Sequence, residues 1–334
     1  MALLGELPEN VTAMLRRTLV TQFATLNKTG VPIDTPLSYF NPDDLATIDV
    51  ATGLSYPAKA ERARRNPRVG LLIAGSKDEP VVSIAGMAAV KDADLQANAL
   101  RYIAETGFSR PGNPPWELAR NAVWYWTRMI VCVAPVMVRW WDNREALDVP
   151  PHVVRAPVDT AYPACDPAPP GSLSASSNWP APDWRELARG VTGMGGIAHL
   201  TVCDAEGFPL PMPVRDVRLG DDGFAMRVPG GAPWPCQGKA CLTYYGNQTF
   251  IGEASSDGEE TLLKVDRALP IHPFVADETV MWEPQADLRE ALMSRLRHEV
   301  ARRGQPIPTL PEEEPEPTPG AKIRIARYGD RGLF

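Results

Sequence analysis

The feature that most constrains the fold of this 334-residue chain is an internal repeat. Residues 30–32 (GVP) with Pro36 match residues 207–209 (GFP) with Pro213, at an offset of 207 − 30 = 177. Residues 83–86 (SIAG) match residues 249–252 (TFIG), at an offset of 249 − 83 = 166. The second copy has therefore lost 177 − 166 = 11 residues between these points. The repeat predicts two copies of one fold, and the chain is long enough for each copy to bury its own core.

The first copy has the pattern of a small β-barrel. Helices are predicted to be few and short, which favours a barrel over a parallel sheet. Gly30 supplies the positive φ of a hairpin turn. The six strands predicted for the first copy span residues 23–27, 33–40, 45–51, 69–74, 81–90 and 129–141.

In the second copy, residues 197–202 and 210–217 are predicted as a hairpin, residues 286–304 as a helix and residues 322–328 as the closing strand.

A basic helix follows the third predicted strand. It opens at Lys59 after a polar turn that contains Thr52 and Ser55, and it ends before Pro67. A turn of hydroxyls and backbone N–H groups, followed by a cationic helix start, is a good cradle for a phosphate. An exposed basic helix face would give the same charge pattern. The cradle is favoured because the 11 lost residues remove this helix from the second copy, where residues 228–241 contain one lysine and no arginine. The further cations of the helix are Arg62, Arg64 and Arg65.

The composition argues against several kinds of partner and binding site. With 34 basic and 41 acidic residues the formal charge is −7, so neither nucleic acid nor a membrane is expected as a partner. The N-terminus lacks the pattern of a signal peptide, and no apolar run reaches the length of a membrane span. The five cysteines are odd in number and dispersed, which predicts a reduced, cytoplasmic chain. The four histidines, His152, His199, His272 and His298, show no metal-ligand spacing, so no metal site is expected.

The chain divides into three parts by texture. Residues 143–183 are dense in proline, alanine and serine without apolar periodicity, which is typical of a linker. The expected domains are therefore a barrel with the phosphate segment at 1–142 and a second, degenerate barrel at 184–334. Within the second, residues 305–320 read as an acidic, solvated loop.

Three motifs carry a resemblance to a known family. They are G-x-P-x3-P at Gly30, K-x6-N-P-x-V at Lys59, and I-x-G at Ile84. In this order, over residues 15–142, they resemble the FMN-binding split β-barrel family, which includes pyridoxamine 5′-phosphate oxidase and deazaflavin-dependent reductases. The resemblance implies a mainly β fold with short helices (α+β). It also implies that two tandem six-stranded split β-barrels form inside one chain the pseudo-dimer that relatives form from two chains.

The resemblance also implies a flavin-dependent oxidoreductase. FMN would lie in the groove between the barrels, and hydride would pass directly between its N5 and a small organic substrate, so no dedicated catalytic side chain is expected. Because only the first copy has the basic helix, one cofactor per chain is expected. Where relatives commonly place Arg or Ser, this chain has Pro57, and Arg62 could substitute. The residues implied to hold the phosphate are Lys59, Thr52, Ser55 and Arg62, and those implied to lie along the flavin ring are Thr35, Pro36, Leu37 and Ser38.

Two alternatives stay open within the same fold. One is a reductase that binds 8-hydroxy-5-deazaflavin, whose acidic tail would use Arg62, Arg64 and Arg65. The other is a non-catalytic protein that binds a flavin or, less in keeping with the motifs, haem. The resemblance leaves open whether two chains associate further.

Overall fold

The computed structural model describes residues 2–17, 20–108, 113–174, 182–192, 197–244, 248–256, 258, 260–270 and 279–328. These residues form two closed six-stranded antiparallel barrels in tandem, as the sequence predicts. In the first, the strand order is β3-β2-β1-β4-β5-β6, a β3–β6 pairing closes the barrel, and β7 extends the sheet beyond β6. These strands are β1 (Val20–Leu26), β2 (Pro32–Phe40), β3 (Ile48–Gly53), β4 (Arg68–Ala74), β5 (Val81–Lys91), β6 (Arg128–Trp141) and β7 (His152–Arg155).

The second barrel closes in the order β10-β13-β12-β11-β8-β9. Its strands are β8 (Ala198–Cys203), β9 (Pro209–Leu219), β10 (Gly223–Arg227), β11 (Gly238–Tyr244), β12 (Gln248–Ser256) and β13 (Thr261–Ala268). The α-helices are α1 (Glu9–Leu15), α2 (Ala58–Arg65), α3 (Leu95–Thr106), α4 (Trp116–Ala119), α5 (Val123–Trp126), α6 (Trp184–Thr192), α7 (Thr279–Trp282), α8 (Ala286–Arg302) and α9 (Pro319–Tyr328).

The prediction of a closing strand at residues 322–328 is wrong, because this segment belongs to helix α9. The second barrel is already closed by the pairing of β10 with β9 and β13, so no strand position is left for the end of the chain. A strand was predicted because this segment follows the helix of the second copy, as the closing strand follows the helices of the first copy. In the structure, α9 packs against α3, and a Cβ at Gly107 would lie 2.5 Å from Ile325 Cδ1.

Helix α8 lies on the first barrel although it follows the second barrel in the chain. Leu292 and Leu296 of α8 belong to the same hydrophobic core as the inner residues of β1 to β6. A buried ion-pair network adds to this packing: Asp92 Oδ2 accepts hydrogen bonds from Arg64 and Arg303, both at 2.8 Å. Residues 143–174 also lie along the first barrel, since they contain β7 and Asp166, which accepts hydrogen bonds from the backbone of Asp92 and Ala93.

The two barrels pack outer face to outer face. Gly70 in β4 marks their closest approach, because a Cβ there would lie 1.7 Å from the carbonyl oxygen of Pro209 in β9. Leu72 and Val81 of the first barrel are buried with the core residues of the second. This interface also carries polar side chains, among them Gln22, Asp34 and Ser83, all buried. The barrels therefore form one packed unit with a partly polar seam.

Candidate functional site

Strand β2 has one open edge. Residues 32–38 pair with β1 along one edge, but β3 pairs with β2 only at Tyr39 and Phe40. No described strand pairs with the other edge of residues 33–38. Residues 35–38 are half-exposed although the residues on both sides of them are buried. The structure thus places Thr35, Pro36, Leu37 and Ser38, which the resemblance assigns to the flavin ring, along an accessible edge.

Helix α2 packs on β5 and β1, and β1 is the strand that pairs with β2. Ala60 and Ala63 of α2 are buried against the barrel core, and the helix ends because Asn66, before Pro67, adopts an extended conformation. Lys59 and Arg62 are one turn apart on the other side of the helix and are half-exposed. Arg62 is held in place, because its Nε donates to Thr25 Oγ1 at 2.8 Å.

Strand β11 of the second barrel lies across from α2. The thiol of Cys241 is close enough to Arg62 to affect the pKa of its guanidinium. Lys239 Nζ in the same strand donates to the carbonyl oxygen of Thr29 at 2.5 Å. The space bordered by the open edge of β2, by α2 and by β11 is called the first groove below.

Thr52 and Ser55 are placed differently from the expectation that they face a phosphate. Both are buried, with 1% and 2% of their surface exposed. The hydroxyl of Ser55 donates to the carbonyl oxygen of Leu292 in α8, at 3.4 Å. Helix α8 therefore covers the turn that precedes α2, and Ser55 already has a partner within the protein.

Arg64 is also engaged elsewhere. Its guanidinium donates to Asp92 Oδ2 at 2.8 Å and to the carbonyl oxygen of Asp166. Arg65 donates to the carbonyl oxygen of Leu26 at 3.2 Å. By contrast, Lys59 forms no hydrogen bond or ion pair with any residue in the described ranges.

Arg128 is a cation of the site that the sequence interpretation missed. It stands opposite Gly53 in the β3–β6 pairing, and a Cβ at Gly53 would lie 3.3 Å from Arg128 Nη1. Its guanidinium carbon lies 4.3 Å and 4.2 Å from the ring centroids of Tyr102 and Tyr125. Its Nε is buried without a hydrogen-bond partner among the described residues. The available signal was its place immediately before the predicted closing strand, whose antiparallel pairing ends beside the turn after β3.

Lys59, Arg62 and Arg128, called the cation cluster below, repel one another. Burial lowers the pKa of Lys59 to about 8, and the charges of Arg62 and Arg128 add to this effect. Burial likewise lowers the pKa of Arg62 to about 10, with a further contribution from Arg65. No carboxylate of the described residues forms an ion pair with the cluster. A bound anion would relieve both the desolvation and the repulsion, so the cluster is suited to an anionic group.

The tryptophans and tyrosines of the first barrel serve mostly as core. Trp116, Trp126 and Tyr102 form an edge-to-face cluster with Phe108 outside the barrel wall. Tyr125 belongs to the same cluster and links it to Arg128. Of the other tryptophans in the first barrel, Trp124 lies in the main core, Trp141 in the core shared with the second barrel, and Trp140 stacks on His152.

The corresponding region of the second barrel, called the second groove below, is filled by protein. It comprises the loop 228–237 and, on its other side, the short 3₁₀ turn Glu145–Asp148 of the first barrel. The backbone N–H of Gly231 donates to the carbonyl oxygen of Leu147 at 3.0 Å. A Cβ at Gly231 would lie 2.0 Å from the carbonyl oxygen of Val149. Trp234 in the same loop is only 5% exposed.

Within the described ranges, no three His, Cys, Asp or Glu side chains are grouped as metal ligands; His272 lies outside those ranges. No helix in the described part of the chain combines the length and apolarity that a membrane span requires.

Neither a protein-family model nor a curated protein matches the chain. Solved structures match parts of it. The General Stress Protein 26 from Bacillus anthracis shares 19% identity over 44% of this chain and 97% of its own, with a TM-score of 0.30. An F420 reductase shares 15% identity over 41% of this chain and 100% of its own, with a TM-score of 0.32.

A third match is a pyridoxamine 5′-phosphate oxidase-related, FMN-binding protein from Nostoc punctiforme. It shares 17% identity over 36% of this chain and 73% of its own, with a TM-score of 0.27. The tandem barrel fold is established by the strand topology described above and not by these scores.

Proposed function

We propose that the chain is a flavin-dependent oxidoreductase that binds one FMN in the first groove and acts on a small organic molecule. The observation that carries this proposal is the cation cluster. Three cations from two separate elements meet in a half-buried groove without an ion-pair partner among the described residues. Such an arrangement is unfavourable unless an anion completes it, and a phosphate monoester carries close to two negative charges.

The residues present fit a flavin phosphate. Lys59 provides a point charge, and the guanidiniums of Arg62 and Arg128 provide planar donor groups for phosphate oxygens. Arg128 Nε is the buried donor that still needs an acceptor. Ser55 already donates to Leu292. We therefore assign to Arg128 the phosphate contacts that the resemblance gives to the hydroxyls of the turn.

The chain's own residues would position the ring system and exclude water. The open edge of β2 at residues 35–38 offers unpaired backbone groups and the hydroxyls of Thr35 and Ser38. The second barrel covers the opposite side through β11. FMN, when bound, would supply hydride transfer at N5, so we expect no protein side chain to act as acid or base.

FMN is favoured over a deazaflavin by the state of the arginines. The acidic tail of 8-hydroxy-5-deazaflavin was expected to use Arg64, but Arg64 is buried in an ion pair with Asp92. The five cysteines are all free thiols, which suits the reducing cytoplasm where we place the protein.

The test compares FMN with riboflavin, which lacks only the phosphate. We expect the purified chain to bind FMN at least about tenfold more tightly than riboflavin, as one or two charge-assisted hydrogen bonds would give. The visible spectrum of the isolated protein would identify the resident group: two flavin bands support the proposal. A single deazaflavin band or a Soret band would replace it with one of the alternatives, and equal affinity for FMN and riboflavin would remove the phosphate role of the cluster.

A further inference from the structure

Arg139 in β6 is a buried cation outside the first groove. Its side chain faces the second barrel and is 8% exposed. Its guanidinium makes no hydrogen bond or ion pair with any residue in the described ranges, and its Nη1 is fully buried without a partner. The ring of Trp234 lies over it, with 5.2 Å from the ring centroid to the guanidinium carbon. A guanidinium has five N–H donors, and leaving them buried without acceptors is strongly unfavourable.

The nearest carboxylates do not supply these acceptors. Asp204 and Glu206 stabilise the charge of Arg139 from a distance. However, Asp204 Oδ1 accepts hydrogen bonds from the backbone N–H groups of Glu206 and Phe208, both at 3.0 Å. Glu206 is paired with Arg155. The charge of Arg139 is therefore partly balanced, while its donors remain unsatisfied.

Two further unpartnered donors lie beside Arg139. Ser83 stands directly opposite it in the β5–β6 pairing, is 0% exposed, and its hydroxyl has no partner among the described residues. Trp234 Nε1, from the second barrel, is also buried without a partner there. Directly paired residues of antiparallel strands have Cβ atoms about 5 Å apart, so the three side chains share one patch. Donors from both barrels thus meet at the second groove without an acceptor.

From this patch we infer a second ligand site, which takes one small monovalent oxyanion such as a carboxylate. A carboxylate presents two oxygens in the geometry that a guanidinium recognises, and its remaining lone pairs suit the hydroxyl and the indole N–H. A dianion such as a phosphate monoester is disfavoured because Asp204 and Glu206 lie near. The loop 228–237 fills the second groove, and the anion would lie beneath this loop, between Trp234 and β6. This inference does not depend on the proposed flavin chemistry.

The test is calorimetric titration of the full chain with sodium formate at constant ionic strength. We expect a formate site that Arg139→Met abolishes and that is separate from any formate held by the cation cluster of the first groove. Trp234→Phe keeps the ring and removes one donor, and should weaken the site roughly fivefold. Arg139→Met should fold at least as well as the wild type without formate, because an apolar side chain replaces a buried unpaired charge.

The matched control is Arg185→Met. Arg185 also lies over a tryptophan, with 4.3 Å from its guanidinium carbon to the ring of Trp184, but it is exposed. Its substitution should leave the formate site unchanged, and so should Lys59→Ala in the first groove. Formate isotherms that are the same for Arg139→Met and the wild type would overturn the inference. So would an equal loss of binding in Arg185→Met, which would indicate unspecific anion binding.

Discussion

The two grooves of this molecule differ although the two barrels share one fold. In the first, residues 35–38 are half-exposed beside α2 and the cation cluster. At the offset of 177, the second groove has residues 212–215, and Met212 and Val214, which correspond to Thr35 and Leu37, are buried. In place of α2 it has the loop 228–237, which bonds to the backbone of Leu147.

The barrel fold alone does not give a binding site. Six strands and a shared interface are present in both halves, so neither creates a cofactor site. In the proposed function, the cofactor site depends on the short helix α2 and on Arg128 from the strand end that meets it. Where the repeat lacks that helix, the neighbouring 3₁₀ turn of the first barrel closes the space. We therefore expect changes at α2 to affect binding, and changes at the seam to affect both grooves.

The largest expected effect is on the seam itself. Gly70→Ala places a methyl group 1.7 Å from the carbonyl oxygen of Pro209, a clash of backbone against side chain that only a shift of the barrels can relieve. We expect the free energy of unfolding to fall by about 3 kcal/mol or more. The control is Gly190→Ala in α6, where nothing lies within 4 Å of the added group. Denaturant unfolding of both variants is the measurement, and equal stability would show that the barrels are not held at this contact.

The next largest effect on stability is expected at Asp34. This carboxyl is specific to the first barrel, because Pro211 occupies the matching position in the second. Asp34 is 1% exposed and neither carboxylate oxygen has a partner among the described residues. Burial raises its pKa to about 7. The folded protein then keeps a proton that the unfolded chain loses near pH 4, so stability falls as pH rises from about 4 to about 7 and levels off above.

Asp34→Asn removes this dependence. We compare the free energy of unfolding of the variant with that of the wild type. The excess of the variant should be roughly 2–3 kcal/mol larger at pH 8.5 than at pH 5, at about 1.4 kcal/mol per pKa unit. Thermal unfolding at the two pH values measures it. Asp221→Asn, at an exposed site, should show no such difference. A gain for Asp34→Asn that does not change with pH would mean that Asp34 is ionised in the folded protein.

The local part of the fold could be predicted from the sequence, and the long-range part could not. Strand positions in the first barrel followed from β-rich runs and turn residues, and Lys59 and Arg62 from their spacing on one helix. The role of Arg128 depends on the pairing of β3 with β6, which local patterns do not encode. The hydrogen bond of Ser55 to Leu292 could not be predicted, because Leu292 lies 237 residues further along the chain. The strand prediction at 322–328 failed because packing on α3 decided the structure of that segment.

Lys59→Ala tests the first groove against the second. Removing its charge-assisted hydrogen bond should weaken FMN binding by roughly ten- to a hundredfold, equivalent to about 1.5–3 kcal/mol. Lys239→Ala is the matched control, because Lys239 borders the same groove but its ammonium donates to Thr29 and is not part of the cation cluster. FMN affinity should stay unchanged in the control. If both variants bind FMN equally well, Lys59 is not a phosphate ligand.

The smallest effect is expected at Ser55, whose hydroxyl bonds to Leu292 in the structure and was assigned to the phosphate from the sequence. Ser55→Ala removes the hydrogen bond to Leu292 and should lower the free energy of unfolding by about 1 kcal/mol, without a change in FMN affinity. Denaturant unfolding and an FMN titration of the same preparation measure both quantities. A tenfold loss of FMN affinity at unchanged stability would instead place the Ser55 hydroxyl on the phosphate.

The central claim is that only the first groove binds the cofactor, and its most direct test is the FMN stoichiometry of the full chain by equilibrium dialysis. We predict one FMN per chain for the wild type and for Trp234→Ala, which makes room in the second groove without adding cations. We predict loss of binding when Lys59, Arg62 and Arg128 are replaced together by methionine. Two FMN per chain, or one FMN retained by that triple variant, would contradict the account.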